Sequence, residues 1–298
     1  MKIGMFFFLF LTKLIVHTSM KKIMLFSFLL LSVATIAQKK EKVKGSKTVK
    51  LEQKQVDKFE SLEVEDNLEV FLVKGNECAL EVEADDNLIE FVEYKINGSN
   101  LRISTSKDIS SYKKLSVRVT YTDKFNMVIA KDETNVTALS DVILNDITFK
   151  SYDYAKLFLN AKTKNFTLMA NDKSKIELNL KSEKTAIDVS KSAYVKALIS
   201  SNDMRFDMYQ KSSADVEGDV IDLKIRLDNN TEFNGKKLIG KNASIETASN
   251  AKAYINVSNI VTLDASGDSE IEVYGDPVKY ELKRFTDTAT LKKKQLIK

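Results

Sequence analysis

The chain has 298 residues, with 46 Lys and Arg against 42 Asp and Glu, one His, one Cys, nine Gly and one Pro. One Cys allows no intramolecular disulfide, and one His leaves no Cys/His set for zinc. Four of the bases, Lys2, Lys13, Lys21 and Lys22, precede residue 38 with no acid among them, so the rest is neutral at 42 against 42, not +4. A neutral chain lacks the basic field of a nucleic-acid binder.

From the N-terminus, Met20-Lys21-Lys22 forms a positive segment and Ile23 to Val33 an apolar one, and Thr35-Ile36-Ala37 fits a small-residue cleavage site. This is the pattern of a secretory signal peptide. Cleavage is expected after Ala37 and translation from Met20, so residues 1–37 read as a leader and the mature chain has 261 residues. Lysines at 13, 21 and 22 interrupt the apolar run of about 20 residues that a membrane anchor needs. Gln38 stands where a lipoprotein would carry Cys. His17, lost with the leader, takes Ser-His-Asp and Cys-His arrangements with it.

Residues 38–55 are charged and read as a linker. Residues 56–130 read as a β-rich capping region, out of phase with residues 131–280. Phe59, Leu62 and Val64 alternate, as do Leu68, Val70 and Leu72, then Leu80 and Val82, with Gly75-Asn76 as a turn. The context Cys78-Ala79-Leu80 predicts a buried thiol. The stretch from Asp86 to Tyr94 predicts a short helix opened by an Asx cap. Asn97-Gly98 before Leu101 and Ile103 is a hairpin signal, and Leu115, Val117 and Val119 mark a further strand.

Residues 131–280 carry a repeat. A small residue opens each unit, at Thr134, Ala155, Ser174, Ala193, Ala214, Thr231, Ala251 and Ser269, in steps of 17 to 21 residues. Apolar or small residues come at the second and fourth positions after it, for example Leu157 and Leu159, or Ile176 and Leu178. A second apolar pair precedes each later opening by eight and six residues, for example Phe166 and Leu168, or Phe206 and Met208. Period two means strands with one buried face, and a repeat of this length is a unit that buries its apolar face only by stacking. Asn, Asp, Ser and Lys fill the turns, because they tolerate left-handed backbone with little glycine. The expected fold is all-β, a β-helix or β-solenoid of about eight coils of ~19 residues with the β-rich cap at its N-terminal end. Pro277 and Lys292-Lys293-Lys294 discourage further stacking, so residues 281–298 read as a tail.

No Walker loop, dinucleotide fingerprint or G-G-x-G-x-D calcium repeat occurs. The acid pairs Asp203 and Asp207, Asp215 and Glu217, Asp219 and Asp222, and Glu270 and Glu272 have the composition of a glycosidase site. On an exposed strand face they read first as solubilising charge. Calcium on Asp215, Glu217 and Glu232 is the weaker alternative. No catalytic residue, metal ligand or cofactor site is assigned. Aromatic residues are the better functional clue. Phe158 and Tyr254 take the third position after their openings and Tyr194 the first, so all three are expected to point outward from one strand column, with Tyr154 in a nearby turn. Flat rings on a long sheet suit contact with glycans or proteins.

Phe59-Glu60-Ser61-Leu62-Glu63-Val64 with Leu68-Glu69-Val70-Phe71-Leu72, and Asp86-Asn87-Leu88-Ile89 with Asn97-Gly98-Ser99-Asn100-Leu101-Arg102-Ile103, resemble the opening signatures of a known family. The small-x-apolar-x-apolar phrase ending in Tyr274-Gly275-Asp276-Pro277 resembles its body. The family is the secreted head GIN domain of Gram-negative bacteria, described as an auto-transporter adhesin, and the resemblance covers roughly residues 56 to 280. It implies a β-helical fold, an exported setting (periplasm, outer envelope or outside the cell) and no catalytic residues. Members often place Gly just before the small residue, which here happens only at Gly267-Asp268-Ser269. Three readings stand: an adhesin-like envelope or surface module for glycans or proteins, a β-helical polysaccharide hydrolase or lyase, and a purely structural periplasmic protein.

Overall fold

Alternation of buried and exposed residues along a 19-residue repeat produces a parallel β-solenoid. A computed structural model describes residues 40–295; the leader, including Met20 and His17, lies outside the described residues. The body Lys42–Lys298 forms one unit. Its strands are β1 (Lys42–Lys44), β2 (Val49–Lys54), β3 (Ser61–Val64), β4 (Glu69–Lys74), β5 (Ala79–Asp85), β6 (Val92–Asn97), β7 (Asn100–Thr105), β8 (Asp108–Ser110), β9 (Leu115–Tyr121), β10 (Met127–Ala130) and β11 (Asn135–Ala138). Then come β12 (Val142–Ser151), β13 (Lys156–Ala170), β14 (Lys175–Val189), β15 (Tyr194–Tyr209), β16 (Ser213–Asp228), β17 (Glu232–Thr247), β18 (Lys252–Ala265), β19 (Glu270–Tyr274), β20 (Lys279–Phe285) and β21 (Thr290–Lys293).

Each long strand holds two straight runs. In β13 the side chains of Leu157, Leu159 and Ala161 are buried, then those of Phe166, Leu168 and Ala170. The inward phase flips at the exposed pair Lys164-Asn165, where the chain bends. The same doublet recurs as Glu183-Lys184 and Asn202-Asp203. Each coil then closes through a left-handed residue: Asp132, Asp153, Asp172 and Lys191 have φ between +55° and +62°. The turn aspartates form a ladder. The backbone N–H of Asp66 donates to the Asp132 carboxylate (2.9 Å) and that of Asp132 to Asp153 (3.2 Å). A side-chain acceptor at each turn offsets the cost of left-handed backbone in a residue with a Cβ.

Parallel register ties each coil to the next, as Leu157↔Ile176, Ile176↔Val195 and Val195↔Ala214 show. That last pair corrects one unit of the repeat. Ala214 stacks on Val195, so the small opening residue of its coil is Ser212, one coil beyond Ala193. The second apolar pair of that coil is Met204 and Phe206, stacked on Thr185 and Ile187. The interior columns are closed to water: Ile176, Ile187, Val195 and Phe206 are fully buried. Burial of one such side chain contributes about 1.5–3 kcal/mol relative to exposure.

The N-terminal region is built from the same coil, stacked out of chain order. β3 pairs with both β7 and β10, and β4 with both β9 and β11, all parallel. The coil of β3 and β4 therefore sits between one formed later (β7, β9) and the one that carries the chain upward (β10, β11). The outer edge is sealed by antiparallel strands, β6 on β7, β5 on β9 and β2 on β5. β2 thus falls in residues 38–55, where a linker was expected. In place of the expected helix over Asp86 to Tyr94, a single 3₁₀ turn spans Ile89–Phe91, with β6 next in the chain. The Asp86 carboxylate accepts from the Ser46 hydroxyl (2.5 Å) and caps no helix. The hairpin at Asn97-Gly98 forms, with Gly98 at φ +63°. Cys78, expected to be buried, is half-buried with its sulfur 3.9 Å from the Phe59 carbonyl. At the other end, stacking runs on through residues 279–293, where β20 pairs with β18 and β21 with β19.

Candidate groove on the outer face of the first runs

The outward residues of the first runs form straight columns, because parallel register places every nineteenth residue or so above the last. One column reads Thr137, Phe158, Glu177, Lys196, Asp215, Asn234, Tyr254 and Glu272. Its neighbour reads Asn160, Asn179, Leu198 and Glu217. Between them lies a groove of about 550 Å³. Phe158 (37% exposed) and Leu198 (51% exposed) supply its apolar walls, and Asn160, Asn179, Glu177 and Lys196 its polar contacts. The small Ala138 and Ala197 behind the strands deepen it.

The rim of the groove is fixed by hydrogen bonds. Tyr194 donates its phenolic O–H to Asp215 (2.7 Å), and the Asn234 amide donates to the other oxygen of the same carboxylate (2.7 Å). Lys237 pairs with Glu217 at 3.1 Å. Its bond to Asp215, with burial, pushes the Tyr194 phenol up to about 12. Asp215 thus has both oxygens engaged as acceptors, which suits an anchor better than a proton donor. The other acid pairs are similarly tied: Asp207 to Arg205, and Glu272 to Tyr274 (2.7 Å).

The four aromatic residues singled out in the sequence do not share one site. Phe158 lies in the groove and Tyr194 on its rim, in the adjacent column. Tyr254 shares the Phe158 column but stands five strands along, roughly 24 Å at ~4.8 Å per strand, and packs with Lys236 and Tyr274. Tyr154, 54% exposed, occupies a turn, where the Lys173 ammonium donates to its hydroxyl (3.1 Å). Sequence reasoning passed over Asn160, Asn179 and Leu198. Their only signal is that each stands five residues after its opening, at Ala155, Ser174 and Ala193. Among the described residues no group of three His, Cys, Asp or Glu could hold a metal ion, and no helix is long and apolar enough to cross a membrane.

Residues 58–277 match the family model described as "Putative auto-transporter adhesin, head GIN domain". Among solved structures, a "putative adhesin" from Parabacteroides distasonis superposes with a TM-score of 0.63 at 15% identity, over 86% of this chain and 100% of that one. A "putative adhesin" from Parabacteroides merdae gives 0.59 at 15% identity, over 85% and 99%. A "putative lipid binding protein" from Parabacteroides distasonis gives 0.60 at 12% identity, over 85% and 99%. At these identities the likeness is one of fold. No curated protein matches the chain.

Proposed function

This chain belongs to the head GIN domain family of auto-transporter adhesins, and from that membership and the groove we propose an exported, non-catalytic module that holds a glycan against its outer sheet face. The observation that carries this reading is the juxtaposition of the exposed Phe158 ring with the Asn160 and Asn179 amides across adjacent strands. A ring offers a flat apolar face to a sugar, and amides offer both donors and acceptors to its hydroxyls. Mixed charge, Glu177 and Asp215 against Lys196, favours a neutral chain over a polyanion. A rigid scaffold suits the task, because pre-organised contacts lose little entropy on binding.

Purified protein on a glycan array tests this. Binding is expected, with at least a ten-fold loss on Phe158→Ala and a smaller loss on Asn179→Ala. Binding unchanged by both substitutions contradicts it. The competing hydrolase or lyase reading is tested on a polysaccharide-degradation panel. Turnover abolished by Asp215→Asn or Glu217→Gln would overturn the non-catalytic assignment.

A further inference from the structure

The solenoid's most irregular stretch lies in β17. Asp215 pairs with Asn234 and Glu217 with Lys237, so β17 holds one residue more than β16, and its register with β18 slips again between Gly235 and Ile239. Such bulges re-aim side chains. Lys236 is the residue re-aimed. Its ammonium lies 4.4 Å from the centre of the Tyr254 ring and 5.3 Å from that of Tyr274. Among the described residues it makes no hydrogen bond or ion pair, and the two rings are what hold it. Elsewhere a lysine meets only one ring, as Lys114 does at Phe71 while also pairing with Glu69 at 2.7 Å. The Lys236 backbone is fixed separately, its carbonyl accepting from the Asn256 amide (3.1 Å). Burial and the charges of Glu232, Glu270 and Glu272 push the Tyr254 phenol up, so the rings sit in a negative field. Tyr274 is oriented by donating to Glu272.

We propose that Tyr254 and Tyr274 form a seat for the quaternary ammonium group of an external ligand of the choline type, and that Lys236 is its internal occupant, displaced on binding. A cation over a ring at a partly exposed site gains only about 0.5–1 kcal/mol, so the exchange costs little. A primary ammonium is strongly hydrated on a flexible stem, whereas a quaternary one sheds water more readily and fills the space between two rings. The backbone, held through Asn256, need not move when the side chain swings out. This seat is separate from the glycan groove and does not depend on it.

Choline chloride, titrated against sodium chloride at equal ionic strength, is the probe, with tyrosine ring NMR signals as the readout. In the wild-type protein, choline is expected to shift the Tyr254 and Tyr274 rings and leave Tyr154 unmoved. Lys236→Ala should reach half-saturation at a concentration at least ten-fold lower, and adding Tyr254→Leu to it should abolish the response. The proposal is overturned if sodium chloride reproduces the wild-type shifts. It is overturned equally if folded Lys236→Ala responds no more tightly than wild type, or if Tyr254→Leu leaves the response intact. The wild-type titration serves whether or not the variants fold.

Discussion

Two regions of this molecule use the same coil in different ways. From β13 to β19 each coil lies on the one made just before it. From β3 to β11 the order is scrambled, with the β3–β4 coil enclosed between two later ones. The first arrangement needs only local closure of about 19 residues, which costs little loop entropy. The second needs contacts across 40 to 70 residues and slower non-local closure. It gains a sealed end. An open parallel edge invites further pairing, and here antiparallel strands cover it.

Side chains specific to the N-terminal region pin the scrambled order. Glu65 takes Arg102 from the coil on one side and Lys131, at 3.0 Å, from the coil on the other. The Asp85 carboxylate accepts from the backbone N–H groups of Lys47 (2.8 Å) and Lys114 (3.0 Å), tying the outer strands down. Burial pushes its carboxyl up, but those N–H donors outweigh burial and hold it below the usual range. The regular coils need no such clamps.

The largest expected effects come from core truncations, one in each region. Phe206→Ala empties the space beside Phe233, whose ring lies 5.1 Å away, and should cost about 3–5 kcal/mol. Phe125→Ala, between Tyr121 and Phe59, should cost a similar ~3–5 kcal/mol. Hydrogen exchange should localise the first to neighbouring coils and the second to the N-terminal end. Uniform acceleration along the chain would erase the distinction. Gly218→Ala comes next. Gly218 has φ +119°, and a Cβ would stand 2.0 Å from the Ile199 carbonyl oxygen. The expected cost is about 1–3 kcal/mol, seen as a lower melting temperature.

Acid should separate the two regions. Burial pushes the Glu65 carboxyl up, but bonds to Arg102 and Lys131 more than reverse this and bring it down to about 2 from 4.5. A depressed carboxylate contributes stability above its unfolded pKa and loses it as pH falls through the folded value. The N-terminal coils should therefore loosen between about pH 4.5 and 2, and pepsin should cut residues 60–131 before residues 150–270. Glu65→Gln should cost roughly 1 kcal/mol at pH 7 in denaturant melts, since both partners are part-exposed, and remove this acid sensitivity. The smallest effect is Lys191→Gly. It relieves left-handed backbone but gives up the pair with Asp172 (2.5 Å), so melts should move by less than about 1 kcal/mol.

The coils were legible in the sequence because a buried face repeats every 19 residues, and that signal is local. It failed at one unit, where Ser212 is polar and two left-handed residues, Gln210 and Lys211, blur the turn, so Ala214 looked like the opening. Stacking order was not legible, since Leu62 and Val128 carry no mark of their pairing across 66 residues. The helix expected from Asp86 yielded to tertiary pairing of β6 with β7. Lysines in β21 hid its place on β19. At the groove, Phe158 stood out as an exposed ring, whereas Asn160 and Asn179 look like any surface amides until their register is known.

Cross-linking tests the stacking order most directly. In a Cys78→Ser background, Glu63→Cys with Ile129→Cys places two thiols on adjacent strands, about 4.8 Å apart at Cα, within disulfide range. Arg102→Cys with Ile129→Cys places them two strands apart, about 9.6 Å, which is too far. Rapid oxidation of the first pair and none of the second is the predicted result. Had the coils stacked in chain order, β7 would lie between β3 and β10, and the second pair would close while the first stayed open.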